Sequence, residues 1–197
     1  MSEQTFYSTV INEFGLNPTD SQQELFRKLE SFVRKSDGQQ LFVISGYAGT
    51  GKTSVLGAYV RALNFYKVKT KLLAPTGRAA KVFSHKAKQE AHTIHKHIYR
   101  RKSKVEITAG LSLQKNVYKN TIFFVDEASM IGNYTLTKEG GVNARNLLDD
   151  LFEYVYSGEN CKLILIGDAG QLPPVGSDFS PALSVEHLAN NFSALEI

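Results

Sequence analysis

One cysteine, Cys161, is the only thiol in this 197-residue chain, so it can form neither an intrachain disulfide nor a cysteine zinc cluster. A reducing cytoplasm is therefore the expected compartment. No run of 18 apolar residues occurs, and residues 1–9 are polar and mixed instead of being laid out as a signal peptide, which argues against a membrane span and against secretion. Internal repeats and low-complexity tracts are lacking too. What remains is 42% hydrophobic and 21% charged, the make-up of a globular domain, and long enough for one domain or one large domain with a small insertion.

Charge is modest in total and uneven in placement. Of 23 Lys/Arg and 19 Asp/Glu, nine bases and a single acid, Glu90, lie between Arg78 and Lys104, leaving 14 bases and 18 acids elsewhere. All of the positive excess sits in that block. Such a run is either a solvated face or a polyanion-binding surface, since clustered Lys and Arg release counterions from nucleic acid.

Apolar periodicity gives an α/β pattern. Thr19 signals the start of a helix that carries Leu25, Phe26, Leu29, Phe32 and Val33 on one face. Short apolar runs at 41–45, 71–74, 121–125 and 162–166 read as buried parallel strands, because these are continuous, not alternating. A helix is expected over 52–65 and another over 144–156, preceded by a loop at 135–143. Residues 103–117, with alternating halves at 105–108 and 111–113, suggest a small β-hairpin insertion. The polar segments after parallel strands should converge on one edge of the sheet.

Two of those segments carry chemistry. Gly46, Tyr47, Ala48, Gly49, Thr50, Gly51, Lys52 and Thr53 match G-x-x-x-x-G-K-[ST] in full, with an apolar strand before and a helix after. The glycines let successive N–H groups face a phosphate, and the helix start, with Ser54, adds its dipole. Lys52 can reach the β- and γ-phosphates of ATP, and the Thr53 hydroxyl can take a place on Mg2+. After the run at 121–125 come Asp126, placed to hold Mg2+, and Glu127, placed to orient or deprotonate an attacking water. His85, His92, His95 and His97 show no zinc spacing.

At this point the chain resembles the superfamily 1 DNA helicases of the RecD/Dda-like group. The phosphate loop is followed by Leu72-Leu-Ala-Pro75-Thr76-Gly-Arg78-Ala-Ala80, similar to motif Ia, and by His92-Thr93-Ile-His95, similar to motif Ib. Asp126-Glu127-Ala-Ser-Met130 resembles motif II, and Gly167-Asp-Ala-Gly-Gln171-Leu-Pro173-Pro174-Val-Gly176 resembles motif III. The likeness implies a RecA-like P-loop NTPase domain, a mainly parallel sheet flanked by helices, that hydrolyses ATP to move along single-stranded DNA in the 5′-to-3′ direction. It implies that Gln171 senses the γ-phosphate, stiffened by Pro173 and Pro174. Pro75, Thr76, Arg78, Thr93, His95, Lys96 and Arg100 are the expected DNA contacts, mostly to its backbone. Gln22 is the expected reader of adenine, although Thr19 and Gln22 also form a capping-box pattern and Gln23 is an adjacent candidate.

The family closes its ATP site with a second motor domain bearing arginines. Residues 193–197 resemble the last strand before the motif that carries them, so this chain is expected to be the first motor domain of a longer protein. Its expected partners are that C-terminal motor domain and single-stranded DNA, with no membrane, as a monomer of low activity on its own. Two other functions stay open. One is an ATP-switched DNA-binding or loading module, the other a P-loop kinase.

Overall fold

The structure, a computed structural model, describes residues 5–35, 39–101, 111–132, 146–168, 170–174, 177–192 and 195–196. It opens with α1 (Phe6–Phe14), begun by Thr5, whose hydroxyl accepts from the Ser8 N–H, and ended by Gly15 at φ 70°. Helix α2 (Asp20–Arg34) starts in a complete capping box between Thr19 and Gln22. Then follow β1 (Gln39–Ser45), α3 (Lys52–Phe65), β2 (Lys69–Ala74), α4 (Gly77–Ala87), β3 (Ala91–Thr93), α5 (Ile94–Ile98), β4 (Tyr99–Arg101) and β5 (Leu111–Leu113). The rest comprises β6 (Thr121–Val125), a 3-10 turn (Ala128–Met130), α6 (Leu147–Tyr156), β7 (Lys162–Gly167), α7 (Val185–Asn191) and β8 (Leu195–Glu196).

Six strands form one parallel sheet in the order β3-β2-β6-β7-β1-β8. Alternate side chains of the central strands feed different cores. Leu73, Phe123, Val125, Leu163 and Leu165 pack with α5 and α6, whereas Leu72, Ile122, Phe124, Ile164 and Ile166 pack with α1 to α4. Each large side chain so buried contributes roughly 1.5–3 kcal/mol. Because both faces are covered, β6 and β7 are buried along their whole length, which explains their unbroken apolar runs.

The expected strands and the helix over 52–65 are present, with β1, β2 and β7 each extended by one or two residues. Elements beyond those expected include α1, β3, α5 and α7. Helix α1 precedes the first helix read from the sequence, and the Arg61 side chain ties it down by donating from Nε to Glu13 Oε2 (2.7 Å). The hairpin also begins earlier. Residues 111–113 pair antiparallel with Tyr99–Arg101, a match stabilised by Gln114 Nε2 donating to the Tyr99 carbonyl (2.8 Å). The expected half at 105–108 and the expected loop at 135–143 lie outside the described residues, as does the start of the helix over 144–156, described here from Leu147.

Candidate functional site

All the functional segments leave the same edge of the sheet. Because β7 lies between β1 and β6, the segment after β7 is flanked by the phosphate loop after β1 and by the acidic pair after β6. The segments after β2 and β3 continue the row on the far side of β6.

The phosphate loop is shaped by Gly49 and Gly51, at φ 79° and 81°, a left-handed conformation that side chains other than glycine adopt at a cost. Gly51 is the N-cap of α3, so Lys52, Thr53 and Ser54 form its first turn, with N–H groups available to a phosphate. The Lys52 ammonium donates to the carbonyls of Gly46 (2.6 Å) and Tyr47 (2.7 Å), and the Thr50 hydroxyl donates to Tyr47 O (2.9 Å). Ala48 and Tyr47 are exposed. The loop is also bonded to β7, through the Gly46 N–H and the Gly167 carbonyl (3.3 Å). Tyr47 reaches toward the segment after β7 as well, so close to Gly170 that a Cβ there would stand 3.1 Å from the ring.

Asp126 is 4% exposed, and burial pushes its carboxyl above the usual range, opposed by hydrogen bonds from the Thr53 hydroxyl and the Glu127 N–H. A buried carboxylate beside a threonine hydroxyl is a hard oxygen donor set, and a divalent cation there would offset the cost of burying the charge. Thr53 and Asp126 thus fit Mg2+, and the loop fits the phosphates that accompany it. Glu127 adopts φ 56°, a left-handed turn directly after Asp126. Its Oε2 accepts from Gln171 Nε2 (3.5 Å), while Gln171 Oε1 accepts from the Ser129 hydroxyl (3.2 Å). Lys52, Thr53, Asp126, Glu127 and Gln171 are thus brought together at one edge of the sheet.

Gln22 serves as the capping-box partner, its Oε1 accepting from the Thr19 N–H (3.0 Å), and its Nε2 reaches the phosphate loop at the Thr50 carbonyl (3.2 Å). It also lines a cavity of about 640 Å3 with Leu25, Phe42, Tyr47 and Val55. Gln23 points elsewhere, donating to the Pro18 carbonyl (3.2 Å).

Thr76 follows β2 and Thr93 ends the adjacent β3, and each caps the next helix with its hydroxyl, accepting from the N–H of Ala79 (3.2 Å) and Lys96 (3.3 Å). Pro75 is half-buried at the same edge, and Arg78 and Lys96 are exposed beside the two caps. His95 packs 5.6 Å from the Tyr99 ring, and burial lowers its pKa, which disfavours the charged ring. Arg100 is exposed but belongs to the separate two-stranded sheet. Among the described bases, Lys86 and Lys88 lie at the end of α4, about 12 and 15 Å along its axis from Arg78 in the first turn.

Two participants were not singled out by the sequence. Ser129 is 1% exposed and bonded to Gln171. Asp168, 4% exposed, accepts from the Gly170 N–H (2.8 Å) and shapes the turn that carries Gln171. The sequence signal for both was their place inside the acidic and Gln-Leu-Pro-Pro motifs.

Fold and site together define a P-loop nucleotide-binding domain. The chain belongs to the AAA-domain family, whose model matches residues 17–186. Over 186 residues, 91% of the chain, it is 25% identical to the ATP-dependent RecD2 DNA helicase of Deinococcus radiodurans and covers 22% of that protein. The crystal structure of the Pif1 helicase from Candida albicans shares the fold at a TM-score of 0.54 and 19% identity, over 92% of this chain and 39% of that one. The chain thus spans well under half of either relative, and the resemblance to superfamily 1 helicases read from the motifs is borne out. Among the described residues no helix is long and apolar enough to cross a membrane.

Proposed function

We propose that this domain hydrolyses ATP and couples the cycle to movement along single-stranded DNA, as the first motor domain of a 5′-to-3′ helicase. The observation that carries the reading is the contact between Gln171 and Glu127 (3.5 Å), next to Lys52, Thr53 and Asp126. A protein that only binds nucleotide has no need of the second carboxylate. Here Glu127 accepts the proton of the attacking water, and Lys52 leaves its loop carbonyls for the β- and γ-phosphates. Thr53 and Asp126 would hold Mg2+, which supplies charge neutralisation for the phosphates. Gln171 is shared between this centre and the segment leading to Pro173 and Pro174, so nucleotide state can be passed on along that segment. Leu25, Phe42 and Val55 offer the base an apolar wall, with Gln22 at its edge.

On the DNA side, Thr76 and Thr93 sit at neighbouring helix starts with Arg78 and Lys96 beside them, a layout that holds a phosphate backbone without reading sequence. ATP hydrolysis measured with and without single-stranded DNA, on a version extended past Ile197, tests the reading. Stimulation by DNA is expected. Nucleotide-dependent DNA binding without turnover would favour the switched loading module, and phosphate transfer to a small molecule would favour the kinase.

A further inference from the structure

We propose that Ser129 is the positioning residue for Gln171, its hydroxyl anchoring the amide so that Nε2 stays against Glu127. The inference rests on the hydrolytic reading above and deepens it. An ionised carboxylate only accepts hydrogen bonds, so the end of the Gln171 amide that meets Glu127 Oε2 must be Nε2. That leaves Oε1 as an acceptor, and the hydroxyl that reaches it, Ser129 Oγ at 3.2 Å, must donate. The arrangement is polarised in one direction, from hydroxyl to amide to carboxylate. Of the two N–H groups on Nε2, one is used by Glu127 and the second is left for a phosphate oxygen or the attacking water.

Ser129 is well suited to this task because it is packed into the core. It is 1% exposed, and its backbone is pressed against β7 so closely that a Cβ on Gly167 would stand 2.7 Å from the Ser129 nitrogen. Gln171, by contrast, is exposed. A buried donor thus anchors an exposed amide. Without the hydroxyl, Oε1 loses its donor, and the amide, held at one end only, can swing away from the Glu127 carboxylate.

Ser129→Ala tests the idea on the full chain with two readouts. The first is the side-chain NH2 signal of Gln171 in a nitrogen-15 NMR spectrum, identified by its loss in Gln171→Ala. It should shift and exchange faster with solvent in Ser129→Ala. The second is single-turnover ATP hydrolysis, which should fall about tenfold while Mg-ATP affinity stays within about threefold. In a Gln171→Ala background the same change should cost nothing further. An unmoved NH2 signal would overturn the proposal, as would, where wild type hydrolyses faster than Glu127→Gln, an unchanged rate or an equal loss in the Gln171→Ala background. If wild type hydrolyses no faster than Glu127→Gln while the NH2 signal still moves, the hydrolytic reading fails and the orienting role of Ser129 stands.

Discussion

Replacing Gly49 by alanine isolates the backbone cost of the phosphate loop. Gly49 is held at φ 79°, and a Cβ added there meets nothing within 4 Å, so packing plays no part. Forcing alanine into the left-handed region costs about 1–2 kcal/mol. The unfolded chain loses freedom as well, which returns about 0.4–1 kcal/mol. The net penalty is about 1 kcal/mol, and it can be expressed in two ways. If the loop keeps its shape, the melting temperature falls by about 2–4 °C. If the loop relaxes, the phosphate cradle is lost from the resting state and ATP binds about fivefold more weakly. Thermal melts and equilibrium titrations of the same preparation therefore have to be read together. Gly49→Asn should suffer less on both, because asparagine tolerates this conformation better than alanine. An alanine variant with unchanged melting and unchanged affinity would refute the reasoning.

Four further outcomes are expected. Glu127→Gln should abolish single-turnover hydrolysis and leave ATP binding in place, and surviving turnover would remove Glu127 from the role of base. Burial raises the Asp126 pKa, so its charge costs stability that is absent below the unfolded pKa and fully felt once pH exceeds the folded one. Asp126→Asn should accordingly melt above wild type at neutral pH without nucleotide, with the gain shrinking on acidification and with no added stabilisation by Mg2+. A variant that melts no higher at neutral pH would contradict the burial argument. Tyr59 is wholly buried, and its hydroxyl has no hydrogen-bond partner among the described residues, so Tyr59→Phe should raise the melting temperature by about 2–4 °C. Replacing Lys96 and Arg100 together should weaken binding to single-stranded DNA and reduce the slope of affinity against salt by about 1.4, while equal slopes would return both residues to an ordinary solvated surface.

Local signals in the sequence determined the elements that carry the chemistry. The glycines and lysine at 46–53 specify a phosphate loop wherever a buried strand leads into a helix, and the apolar runs of β6 and β7 mark strands covered on both faces. Thr19 and Gln22 announce their capping box three residues apart. Each of these depends on neighbours along the chain, so each is legible without a fold. What depends on distant partners was not. Helix α1 is short and is held from α3 by Arg61, a contact 48 residues away in sequence. The basic block looks continuous in one dimension, but the length of α4 carries Lys86 and Lys88 away from Arg78. Above all, only the tertiary structure places β7 between β1 and β6, which brings Gln171 to Glu127 across 44 residues and sets Ser129 beneath it. The motifs name the participants, and the strand order decides which of them touch.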